Sequence, residues 1–202
     1  DLDVRLAQRA HLAGGDRLAV AARQRVIDYL LQHRAPADPR LTEMELSLEA
    51  TFHPEATVFA GYAALGFNLE HMPGDAVTDS LVHLLVTFQH ADGHWTLNLP
   101  RPPIHFIFIG AAAPESYTLR AYQIPARQKE IDACVERART WLASTRPESN
   151  EERVHQLLGL AWAGEKRSTL KRLAAALATS QRADGGWAQL EGLETDAYAT
   201  GQ

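Results

Sequence analysis

Hydrophobic residues along this chain recur at helical spacing, and they do so in two different ways. In "DAVTDSLVHLLVTFQ" Val77, Leu81, Leu84, Leu85 and Phe88 fall on one face. In "ARQKEIDACVERARTWLAS" Ile131, Val135, Ala138 and Leu142 do the same. "KRSTLKRLAAALATSQ" puts Leu170, Leu173 and Leu177 on one side and Arg167, Lys171 and Arg172 on the other. Each of these helices is half wet and should lie with one face on a core. A second kind is dry. "EATVFAGYAALGFNL" (Glu55–Leu69) has no charge after its first residue, and "VHQLLGLAWAG" (Val154–Gly164) has none. A helix without a polar face is expected to be buried all round. The alternation predicts an inner layer of dry helices at 55–69, 114–122, 152–163 and from 196 onward. Amphipathic helices at 17–32, 75–89, 126–144 and 166–181 form the outer layer. The stretch 104–113 reads two ways. Ile104, Phe106, Ile107, Phe108 and Ile109 favour a strand, whereas Pro114 suits the first turn of a helix after an apolar lead-in.

Two of the outer segments end on nearly the same words, "QHADGHW" at Gln89–Trp95 and "QRADGGW" at Gln181–Trp187. Asp-Gly makes a tight turn, because glycine accepts positive φ cheaply. The tryptophan returns a flat apolar surface to the helix end, and the glutamine amide satisfies loose backbone groups there. The motif therefore reads as a clasp built from Gln89, Gly93 and Trp95, and again from Gln181, Gly185 and Trp187. A spacing of about 92 residues corresponds to two hairpins of about 46, a usual size for helical repeats. The intermediate copy would fall near "ERARTWLAS", where only Trp141 survives.

Q-x-x-D-G-x-W resembles the QW motif of the squalene-hopene cyclase and protein prenyltransferase superfamily. "RPPI" (Arg101–Ile104), "LLGLAWAG" (Leu157–Gly164) and "QRADGGWAQL…TDAYATGQ" (Gln181–Gln202) are similar to bacterial squalene-cyclase-like repeat proteins. The resemblance covers most of 41–202. It implies an all-α fold, an (α/α) toroid-like array of α-hairpins. It also implies a terpenoid-cyclase-like module that binds an isoprenoid-like ligand or a protein partner, with an isoprenoid cyclase or prenyltransferase-like enzyme as the alternative. A full ring of this kind takes about six hairpins. Residues 1–202 read as a single toroid-like repeat domain with an incomplete ring. The expectation is that the remainder of a longer chain, or a protein partner, closes it.

Charge and composition narrow the partners. The 202 residues carry a net charge of −5, without the concentrated basic face that a nucleic-acid partner requires. The apolar run at 104–113 is too short to be a transmembrane segment. The single cysteine, Cys134, excludes an internal disulfide and leaves the compartment open.

Candidate chemistry sits mainly on the dry helices. There is no D-x-D-D acid motif and no zinc set of Asp, Cys and His, so family catalysis does not transfer directly. Acids do stand near the predicted starts of the inner helices: Glu55, Glu115, Glu151 with Glu152, and Asp196. Such acids suit the helix macrodipole and would also ring one mouth of a barrel of parallel helices. Glu55 and Asp196 are the candidate catalytic acids. Phe59, Tyr62, Tyr117, Trp162 and Tyr198 are candidate ligand-lining residues, since aromatic faces suit an isoprenoid or a carbocation. His90, His94 and His105 could converge, but no metal-binding spacing is present and no metal is expected. Neither G-x-S-x-G nor a phosphate-binding P-loop occurs. No C-x-x-C-H occurs either, so no haem or other cofactor is expected.

Overall fold

A computed structural model of the chain describes residues 56–96 and 108–202. Among these residues the structure is helical, with no strand. The elements are α1 (Ala56–Leu69), α2 (Ala76–Phe88), α3 (Phe108–Ala121), a 3-10 turn (Pro125–Arg127), α4 (Gln128–Ser144), α5 (Asn150–Trp162), α6 (Arg167–Thr179) and α7 (Ala197–Gly201). The predicted outer helix at 17–32 lies outside the described residues.

Local signals account for several boundaries. Asp75 starts α2 with a capping box: its carboxylate accepts from Val77 N and Thr78 N, and Thr78 Oγ1 accepts from Asp75 N at 2.7 Å. Ser149 and Glu152 do the same for α5. The start of α3 departs from expectation. Residues 108–113 are helical and Pro114 lies inside the helix, not at its head. A proline there forfeits one backbone hydrogen bond, at a cost of about 3 kcal/mol. Burial offsets this cost: Ile109, Ala111, Ala112, Ala113 and Leu119 are all buried. The strand preference of Ile109 yields to the same packing.

The helices alternate between two layers. α1 packs on α3 and α3 on α5, and these are the most extensive contacts. α2 covers α1 and α3, α4 covers α3 and α5, and α6 lies on α5. The core between the layers joins Ala60 and Ala64 of α1 to Leu81, Leu84 and Leu85 of α2. It continues through Leu119, Ile131, Ala138, Leu142 and Leu160. Inner helices approach closely because small residues sit at their crossings. A Cβ on Gly61 would stand 3.1 Å from Glu115 N, and one on Gly159 would stand 2.8 Å from Leu142 Cδ1 and 3.2 Å from Ala113 Cα.

Two expectations need correction. The dry helices are not buried all round: Tyr62 is 50% exposed, Leu69 65% and Leu158 37%. Among the described residues no third layer covers that side. Nor is Trp141 a degenerate clasp. It lies within α4, half-buried, with its ring 5.6 Å from that of His94. The end of α4 is tied instead by Gln156 of α5. Its Nε2 donates to Leu142 O at 2.6 Å and Thr145 O at 2.7 Å, so the next inner helix does the work of the absent clasp glutamine.

Candidate functional site

The candidate site is the side of the inner layer that faces away from the outer helices. α1 carries no charged residue from Ala56 to Leu69, and α5 carries none after Arg153. Tyr62 and Leu69 of α1 and Leu158 of α5 are the large apolar side chains exposed there, with Tyr198 of α7 at 39%. Phe59, by contrast, is half-buried and packs against the core. Tyr117 and Trp162 meet edge to face, with ring centroids 5.2 Å apart at 71°. The Tyr117 hydroxyl donates to Asn68 Oδ1 at 2.5 Å, which ties α3 to the end of α1. Trp162 is half-buried at the last residue of α5.

Carboxyl groups approach this side from α3 and α5. Glu115 is fully buried, and neither of its carboxyl oxygens has a hydrogen-bond partner. Burial pushes its pKa well above the usual carboxylate range. Glu151 is also buried, and it accepts a hydrogen bond from the Tyr198 hydroxyl at 2.8 Å. Burial, and then Glu151, push the Tyr198 phenol up to about 12. The Tyr62 phenol is raised as well, by burial first and then by the charges of Glu115 and Glu151. Tyr62, Glu115, Glu151 and Tyr198 therefore form one neighbourhood, supplied by α1, α3, α5 and α7.

The other predicted acids are placed differently. Asp196 caps α7 and accepts from Ala199 N at 2.8 Å, and that bond lowers its pKa below the usual range. Glu152 serves the capping box of α5. Glu115 was expected at a helix start and lies in the interior of α3, because that helix begins at Phe108. Glu55 lies outside the described residues. Sequence reading missed the isolation of Glu115. The available signal was Gly61 on the neighbouring dry helix, where an added Cβ would stand 3.3 Å from Glu115 Cδ.

The two heptapeptides fold alike. Gln89 Nε2 donates to Gly93 O at 3.1 Å, and Gln181 Nε2 to Gly185 O at 2.7 Å. His90 N donates to His94 O, and Arg182 N to Gly186 O, each at 2.9 Å. Trp95 Nε1 reaches Leu85 O at 2.8 Å, and Trp187 Nε1 reaches Leu177 O at 3.0 Å. Both central glycines have positive φ, 109° at Gly93 and 86° at Gly185. Beside the second copy lies a polar cleft of about 330 Å³ lined by Asn150, Arg153, Arg182, Trp187 and Glu191, among others.

His90 and His94 stack, with centroids 4.3 Å apart, and the His94 ring pairs with Asp92 at 2.6 Å. His105 lies outside the described residues. Among the described residues no group of three or more His, Cys, Asp or Glu side chains is gathered as a metal site would require. None of their helices is long and apolar enough to cross a membrane. No protein-family model, curated protein or solved structure matches this chain.

Proposed function

We propose that this chain is part of an α/α toroid of the squalene-hopene cyclase and prenyltransferase kind, and that its inner-helix face binds an apolar, isoprenoid-like ligand without converting it. The observation that carries this reading is the exposure of Tyr62, Leu69 and Leu158 on α1 and α5, helices without charge from Ala56 to Leu69 and after Arg153. Apolar side chains of this size are stabilised by about 1.5–3 kcal/mol each when removed from water. A ligand laid along the face would recover part of that. Alternation of inner and outer helices supports the toroid-like arrangement.

A second reading is an isoprenoid cyclase or prenyltransferase-like enzyme. One observation favours it: Glu115 is a buried carboxyl without a hydrogen-bond partner, and burial raises its affinity for a proton. A cyclase must deliver that proton to the ligand, however, and Glu115 has no exposed surface. Asp196 is held ionised by its capping bond, so it is a poor proton donor. Binding therefore accounts for more of the geometry than turnover does.

The test is native mass spectrometry of the chain after incubation with squalene and with prenyl diphosphates. The expected result is a stoichiometric complex, recovered unchanged on extraction. Tyr62→Glu and Leu158→Glu each place a charge on the face and should abolish the complex while leaving the unfolding midpoint near that of the parent. Undiminished binding by both variants would sink the proposal. A cyclised product would move the assignment to the enzyme reading.

A further inference from the structure

The cleft of about 330 Å³ beside the second heptapeptide lies between the head of α5 and the loop that follows α6. Its volume is at the small end of the range for small-molecule sites, about 300–1,000 Å³. Glu148, Asn150 and Arg153 line it from the α5 side, and Arg182, Trp187 and Glu191 from the loop. Four of these side chains are charged, two of each sign, and among the described residues none of the four is in an ion pair. Asn150 adds a second irregularity. It is only 4% exposed, its Nδ2 donates to Ala199 O at 3.3 Å, and its Oδ1 has no partner. A buried acceptor without a donor is uncommon in a folded protein. The walls are held in place by hydrogen bonds. Asn150 N donates to Gln189 O at 3.0 Å, which ties the loop to the head of α5. Trp187 N donates to Thr200 Oγ1 at 3.0 Å, and the indole N–H is tied to Leu177 O, which fixes the ring. The clasp itself does not require Arg182, because the first copy has His90 at the same place.

We infer that this cleft binds a free α-amino acid with an apolar side chain. Arg153 and Arg182 take its carboxylate, because the guanidinium fork matches carboxylate geometry. Asn150 Oδ1 accepts from its ammonium group, and Glu148 and Glu191 supply the opposing charge. The half-buried indole of Trp187 meets the apolar side chain. The charged lining is neutral in sum, so a zwitterion suits it. A simple anion would gain the two arginines and be repelled by the two glutamates. This inference is independent of the apolar ligand of the inner face, since Tyr62, Leu69 and Leu158 contribute nothing to the cleft.

The probes are L-phenylalanine and L-leucine, titrated into the intact ¹⁵N-labelled chain up to about 10 mM, where even a millimolar site fills. The readout is the indole N–H resonance of Trp187, assigned by its loss in Trp187→Phe. A saturable shift of that resonance is expected with at least one of the two. Arg153→Gln and Arg182→Gln should each weaken binding at least tenfold. Both arginines are exposed and unpaired, so the unfolding midpoint should stay near that of the parent. Two ligand changes leave the protein untouched. L-phenylalaninamide lacks the carboxylate and N-acetyl-L-phenylalanine lacks the ammonium, and each should bind at least tenfold more weakly than L-phenylalanine. No saturable shift with either amino acid overturns the inference. So does equal binding of the N-acetyl compound or of inorganic phosphate, which would make the cleft a plain anion site, and so does binding that both arginine variants leave unchanged.

Discussion

Single residues decide the chemistry of this molecule, and Glu115 is the clearest case. Its carboxyl is fully buried without a partner, so the folded state disfavours the charged form. The unfolded chain loses this proton near the ordinary glutamate value of 4.5, while the folded chain retains it to higher pH. Between those two values the folded state binds more protons, so stability falls as pH rises, by up to about 1.4 kcal/mol per pH unit. Glu115→Gln removes that dependence. The variant should match the parent near pH 4 and gain on it steadily above pH 5, as read by urea unfolding at each pH. A stability difference that is flat with pH would show that the carboxyl is not held neutral. The two clasp glycines give a second contrast. Gly185→Ala should cost about 1–3 kcal/mol, the strain of positive φ alone. Gly93→Ala adds a clash with the Arg137 carbonyl and should cost clearly more. Equal losses in denaturant unfolding would mean that α4 shifts freely off the first clasp. In sequence these two positions look the same, because a local motif specifies the turn and is silent about what lies against it.

At the level of elements, most of the chain was legible. The 3.6-residue periodicity places α2, α4 and α6 to within a few residues, since each must put an apolar stripe on the core and a charged stripe in water. The dry pattern likewise locates α1, α5 and α7. The reading failed at the start of α3, placed at Pro114 with 104–113 left open between a strand and an apolar lead-in, whereas the helix begins at Phe108. Tertiary burial of Ile109 and the Ala111–Ala113 run outweighs local propensity there. It failed again at the end of α4, which has no clasp in sequence. Gln156 donates from the next helix to Leu142 O and Thr145 O, 14 and 11 residues back, and no local spacing reveals such a partner. Gln156→Leu should leave those carbonyls unsatisfied and cost about 1–3 kcal/mol, with a lowered thermal midpoint as the readout. An unchanged midpoint would show that water replaces the amide.

Across the whole molecule the layered order is the central feature, and the apolar inner face follows from it. The sequence was sufficient to indicate, for the described residues, an all-helical fold, the alternation of dry and amphipathic helices, and the twice-used clasp. These are properties of short windows, where backbone geometry and side-chain hydrophobicity repeat with a fixed period. The same windows wrongly implied that dry helices are buried on every side. An apolar pattern records that a surface avoids charge; it does not record whether protein or a ligand covers it. Only the tertiary structure showed Tyr62, Leu69 and Leu158 open to solvent, Glu115 sealed between α1 and α3, Glu151 bonded to Tyr198, and one clasp filled while its twin stands open. Each of these depends on which distant segments meet. Burial, and the pKa shifts that burial causes, are set by neighbours far away along the chain, so no local reading of residues reaches them.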